Sequence, residues 1–131
     1  MVTTSAFTPA GAFSGFSIRD AAEAKAFYAD TLGLTVTDND MGFLELHLGS
    51  RATVLAYVKP DHEPASYTIL NFPVADVDAA VDDLIGRGVS MQQYDGMPQD
   101  DRGVMHGNGP DIAWFTDPSG NVLSVIGDEA G

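Results

Sequence analysis

A chain of 131 residues, 44% hydrophobic, is long enough for one domain with its own core and too apolar for wholesale disorder. Its formal charge of −13 sets 19 acidic residues against six scattered basic ones, Arg19, Lys25, Arg51, Lys59, Arg87 and Arg102. Without a basic patch to displace counterions, nucleic-acid binding is excluded and anionic membranes are disfavoured; without cysteine, disulfides, thiolate zinc sites and cysteine nucleophiles are excluded as well.

The opening MVTTSAFTPAGAF has neither a basic head nor a long apolar run, and no stretch is apolar enough to span a membrane, so a cytoplasmic protein is expected. The acidity reads as solubility or adaptation to a salty interior. AFSGFSI predicts a strand over about 12–19. Asp20 then caps a helix, with Glu23 three residues on as its capping-box partner. Ala24, Phe27, Tyr28 and Leu32 form its apolar face, and Gly33 ends it. LTVTD is a short strand. MGFLELHLG alternates strictly, with Leu44, Leu46 and Leu48 on one face and Phe43, Glu45 and His47 on the other. Gly49-Ser50-Arg51 turns into a further strand, ATVLAYV, and KPDHEPAS is a Pro- and charge-rich linker.

The pattern then restarts. YTILNFPV is a strand leading to a second cap, Asp76, and Val77, Val81, Leu84 and Ile85 form the next helical stripe. RGVSMQQY is a strand, and DGMPQDDRGVMHGNGP a long loop without periodicity, expected to be mobile and to gate a pocket. DIAWFTDPSGNVLSVIGD closes the chain as a hairpin around Asp117-Pro118-Ser119-Gly120-Asn121. FSIRD at 16–20 matches FPVAD at 72–76, and each precedes a helix, a glycine and a β-run. The expected fold is therefore α+β: two tandem βαβββ modules form a curved mixed sheet around a central cavity, with the helices on its outer face. Within a single domain over 1–131, the modules cover about 12–58 and 67–127, joined by a linker at 59–66.

By this count of faces, Phe13, Ser17, Tyr57, Asn71, Trp114 and Ser124 point inward together with Val122, an aromatic pocket with a few hydroxyl and amide groups. Glu45 and His47 share one strand face, assigned to the cavity, although a partly solvated polar face is the blander reading. His106 lies in the glycine-rich loop. His62, between Asp61 and Glu63, reads as solvated linker.

The stretches RDAAEAKAFYADTLGL, FPVADVDAAVDDLIGRGV and WFTDPSGNVLSVI, in this order and spacing, resemble the vicinal oxygen chelate superfamily of glyoxalases, bleomycin-resistance binding proteins and extradiol dioxygenases, over about residues 12–127. In metal-dependent members four strands supply His or Gln, Glu, His and Glu. The resemblance places those positions here on Phe13, Leu55, Ile69 and Ser124, which offer almost no donors. It thus implies a protein without metal or other cofactor that binds a small molecule and sequesters an antibiotic-like or aromatic ligand. The alternative is a metal-dependent lyase, isomerase or dioxygenase with a non-standard site from Glu45, His47 or His106. A homodimer is expected, since proteins of this resemblance often pair and open strand edges need cover.

Overall fold

The computed structural model describes residues 6–7, 9–49, 52–107 and 109–128. Six of the thirteen residues of the opening stretch read for a leader, two residues of the Gly49-Ser50-Arg51 turn and Asn108 of the long loop lie outside these. The first half forms β1 (Ser14–Ile18), α1 (Ala21–Lys25), β2 (Thr35–Asp38), β3 (Leu44–His47) and β4 (Thr53–Val58). The second forms β5 (Thr68–Val74), α2 (Val77–Gly86), β6 (Ile112–Thr116) and β7 (Val122–Gly127).

The α+β architecture is as expected, and its backbone hydrogen bonds divide it into two open sheets. One has the order β1-β4-β3-β2 and the other β5-β7-β6. In each, the strand before the helix runs parallel to the last strand, and the remaining pairs are antiparallel. Pro73 is tolerated because β5 is an edge strand.

The strand predicted over RGVSMQQY does not form. Only Met91 makes an isolated bridge, to Phe115, beside β6, where β2 lies beside β3 in the other half. Gln92 still donates its amide N–H to Trp114 C=O at 2.8 Å. Side chains then divert the backbone. Gln99 Nε2 donates to the carbonyls of Gln92 and Gly103, and Gln93 Nε2 to that of Asp100, so the Gln92 carbonyl is taken by the loop and the glutamines tie that loop together.

Both caps form where predicted. Asp20 Oδ1 accepts from Glu23 N–H at 3.0 Å, and Asp76 Oδ1 from Ala79 N–H at 3.1 Å. The reciprocal half of the capping box is absent, because Glu23 Oε1 accepts from Arg19 Nε instead. The first helix widens after Lys25 into a π-helical segment, Ala26–Thr31, in which Leu32 N–H reaches back to Phe27 C=O. In α2, Val77, Val81 and Leu84 are buried, but Ile85 is 45% exposed and lies outside the stripe.

One core joins the halves. Phe16, Ile18, Leu44, Leu46, Val54 and Ala56 from the first sheet meet Ala113, Phe115, Leu123 and Val125 from the second, beneath Tyr28, Val81 and Leu84 of the helices. The final hairpin locks the seam. Its turn is closed by Gly120 N–H to Asp117 C=O, with Gly120 at φ +85°, a backbone that favours glycine. From it, Ser119 Oγ accepts from Arg19 N–H at 2.8 Å, and Asn121 Nδ2 donates to Ser17 C=O at 2.8 Å. Buried Asp117 accepts four hydrogen bonds, from Tyr28 Oη, Asn121 Nδ2 and the amides of Ser119 and Asn121. Burial pushes the Tyr28 phenol far above its ordinary value, and the Asp117 charge beside it adds to this.

Candidate ligand-binding site

The helices cover one side of both sheets and leave the other side open. Because successive strand residues alternate, the buried Leu44 and Leu46 leave Glu45 and His47 on the open face, as predicted. The register aligns Ser17 with Tyr57, Gly15 with Leu55, and Leu55 with Glu45 across that face. On the second sheet, Ser124 is aligned with both Asn71 and Trp114.

Where the two open faces meet under the linker, a cleft of about 370 Å³ opens. Its walls come from β1 (Gly15, Ser17), β4 (Tyr57), the linker (Glu63), β5 (Ile69) with Tyr67 just before it, and the hairpin turn (Asn121). A shallower hollow of about 240 Å³ lies beside it, lined by Tyr67, Met97, Trp114 and Val122, and Tyr94 packs edge-on against Trp114 with ring centroids 5.7 Å apart.

The predicted site residues divide between these places. Ser17 and Tyr57 line the cleft, and Trp114 lines the hollow. Phe13 was expected to point inward, but it is 70% exposed and stands outside both, since it precedes β1 and no strand packs over it. Asn71 is exposed on the open face, and its Oδ1 accepts from the fully buried Ser124 Oγ at 2.6 Å. That bond gives the Asn71 amide oxygen a partner. Glu45 and His47 stay partly solvated, 3.9 Å apart, with His47 Nε2 2.8 Å from Thr37 Oγ1. Phe43 and Tyr57 pack edge-on over the same sheet.

The usual metal positions of the resembling enzymes do not fit a metal here. Leu55 and Ile69 have no donor atoms, Phe13 has none, and the Ser124 hydroxyl is spent on Asn71. Glu45, His47 and His106 do not converge either. Among the described residues, the group of three able to reach one ion is Asp78, Asp100 and His106, around α2 and the long loop. Arg102 already holds Asp78 and Asp82 there, placing a fixed cation against the group. His106 is pinned between Asp100 and Asp111 at 3.2 and 3.1 Å. The Asp100 hydrogen bond, with Asp111 second, lifts the imidazole above its ordinary value of 6.5. Burial alone would raise Asp100, but the amides of Val104 and Arg102, together with His106, hold it below the usual carboxylate range. The loop read as an unpatterned gate is thus tied to itself by Asp100 and to the core by the buried Val104.

The reading of His62 as solvated is corrected, although most of the linker around it is exposed. Half-buried, His62 bridges the halves: Nδ1 lies 2.6 Å from Ser17 Oγ and Nε2 2.9 Å from Ser119 C=O. Nothing local in DHEPAS signals this; only the docking of the linker on the hairpin turn brings the three groups together. Asn121 was equally hidden, since it read as a turn former and acts as a wall of the cleft.

A family model described as the Glyoxalase/Bleomycin resistance protein/Dioxygenase superfamily matches residues 14–125. The structure of a member of that superfamily from Sphaerobacter thermophilus superposes with a TM-score of 0.65 at 24% identity, over 90% of this chain and 98% of that one. A glyoxalase family protein from Enterococcus faecalis superposes at 0.63 with 20% identity, over 87% and 94%. These likenesses show the fold. No curated protein sequence matches the chain.

Proposed function

Because the chain belongs to the Glyoxalase/Bleomycin resistance protein/Dioxygenase superfamily, we propose that it is a metal-free binding protein that sequesters a small aromatic molecule. The observation that carries this reading is the pairing of an aromatic-walled cleft with metal positions that lack donors. Tyr57 and Tyr67 offer flat aromatic walls in a cleft whose lining is otherwise mainly polar, with Ser17 and Glu63 among its polar groups. The net charge of −13 favours a cationic ligand, which long-range attraction would concentrate at the surface and an aromatic face would hold.

Benzyltrimethylammonium, benzyl alcohol and benzoate make a suitable probe series for thermal-shift measurements, alongside metal analysis of protein purified without an affinity tag. The cation should raise the melting temperature saturably and more strongly at low salt, the alcohol less and the anion least. Tyr57→Ala should remove the shift. Near-stoichiometric transition metal in the untagged protein, or equal shifts for cation and anion, would overturn the reading.

We also propose that the protein is a homodimer, present in the cytoplasm. β1 and β5 are edge strands, and Phe13 and Tyr67, which directly precede them in the chain, are exposed large side chains. Two chains of this charge repel, so the dimer should loosen as salt is removed. Light scattering over a dilution series at two ionic strengths tests this; a monomer mass at every concentration in moderate salt would refute it.

A further inference from the structure

We infer that Ser17 and His62 form a nucleophile–base pair and that the cleft can accept an acyl group from small aryl esters. Ser119 C=O can only accept a hydrogen bond, so His62 Nε2, 2.9 Å away, must carry the proton in the neutral ring. That leaves the Nδ1 lone pair facing Ser17 Oγ at 2.6 Å, and the hydroxyl must donate to it. This is the arrangement in which an imidazole can take the proton of an attacking serine, with a third group fixing the ring. The third group here is a backbone carbonyl rather than a carboxylate, so the imidazolium gains less support and only activated esters should react.

The surroundings suit an acyl acceptor. Ser17 lines the cleft beside Tyr57 and Tyr67, against which an aryl leaving group can pack. Ile18 C=O bonds to Lys59 N–H on the β4 side, so strand alternation turns the backbone of Ser17 the other way, and its carbonyl is duly held by Asn121 Nδ2. The Ser17 amide N–H therefore points away from β4 to the same free edge of β1, where a developing oxyanion on an ester attacked by Ser17 could accept from it. Asn121, almost wholly buried and also bonded to Asp117, fixes this stretch of β1.

In the acylation step Ser17 Oγ bonds to the ester carbonyl carbon while its proton passes to His62 Nδ1. The bond from that carbon to the aryl oxygen then breaks, and the proton leaves with the phenol. Water reverses the sequence: it attacks the acyl carbon, gives its proton to His62, and Ser17 Oγ is restored as the carboxylic acid departs. None of this depends on the proposed cationic ligand: acetylation of Ser17 and the thermal shift with the aromatic cation are separate readouts, so either can fail without the other.

The test treats untagged protein with 4-nitrophenyl acetate and follows both nitrophenol release and the site of acetylation by peptide mass mapping. Expected is a release phase with acetyl on the peptide containing Ser17. Loss of the base should slow it roughly 100-fold in His62→Gln, the lower end of what general-base catalysis contributes, and Ser17→Ala should abolish the adduct. An unmodified Ser17 in the wild-type protein, or acetyl confined to lysines or tyrosines, would overturn the assignment, and this readout does not depend on either variant folding. In folded His62→Gln protein, an unchanged rate would overturn the role of the histidine.

Discussion

Asp117→Ala should lower folding stability by about 3–5 kcal/mol, because it removes an acceptor of four buried or half-buried hydrogen bonds and strands their donors. The buried Tyr28 hydroxyl loses its partner at 2.6 Å, in a place where water cannot readily replace it. The Ser119 and Asn121 amides lose the bonds that shape the hairpin turn, and with that turn goes the seam between the halves. At roughly 3–5 °C per kcal/mol for a domain of this size, the melting temperature should fall by more than about 10 °C. Asp117→Asn should be milder, about 1–2 kcal/mol, since its carbonyl oxygen can still accept from the two amides. Tyr28→Phe deletes a donor without leaving one stranded and should cost about 1–1.5 kcal/mol. Urea denaturation of the three variants checks the ranking. A loss below about 1 kcal/mol in Asp117→Ala would show that the network contributes little to holding the halves together.

Phe115→Ala is the second large effect, a loss of about 3 kcal/mol. Phe115 is 1% exposed, lies against Phe27 of the first half at 6.5 Å between ring centroids, and carries the bridge to Met91. Removing such a ring from a closed core costs roughly 3–5 kcal/mol. Here the lower end applies, because Phe115 also borders a hollow of about 200 Å³ on the helix side, where Leu32, Leu84 and Val125 can shift or water can enter. Phe115→Leu keeps most of the volume and should cost about 1–1.5 kcal/mol. Equilibrium unfolding with an unchanged urea dependence would support this account. A cost under about 1.5 kcal/mol for the alanine variant would mean that the ring is not a keystone of the shared core.

The interior of β3 shows how much of this protein was legible from local chemistry. Alternation alone placed Leu44 and Leu46 under the helices and Glu45 and His47 on the open face, because a strand has a period of two and one side was plainly apolar. Asp20 and Asp76 announced the helix starts, and Asp117-Pro118-Ser119-Gly120-Asn121 announced the hairpin, since caps and turns are decided within a few residues. The repeat of FSIRD as FPVAD carried the two-module plan, and RDAAEAKAFYADTLGL, FPVADVDAAVDDLIGRGV and WFTDPSGNVLSVI, in that order, carried the family. The substitution of Phe13, Leu55, Ile69 and Ser124 at the metal positions was likewise a matter of residue types.

Contacts between distant segments decided the rest. The Met91 segment stops at one bridge where the Gln92 carbonyl is taken by the Gln99 side chain of the loop. Phe13 became exposed because no partner strand covers the residues before β1. His106 went to Asp100 and Asp111, and not to Glu45 or His47, since the loop folds back on its own carboxylates. Above all, the meeting of Ser17 with His62, 45 residues apart, and of His62 with Ser119, 57 apart, depends on the linker being pressed against the hairpin turn. No local propensity encodes such a meeting: the sequence by itself determined the faces, caps, turns and missing donors, and only tertiary packing brought a serine, a histidine and a carbonyl from three segments to one edge of the cleft.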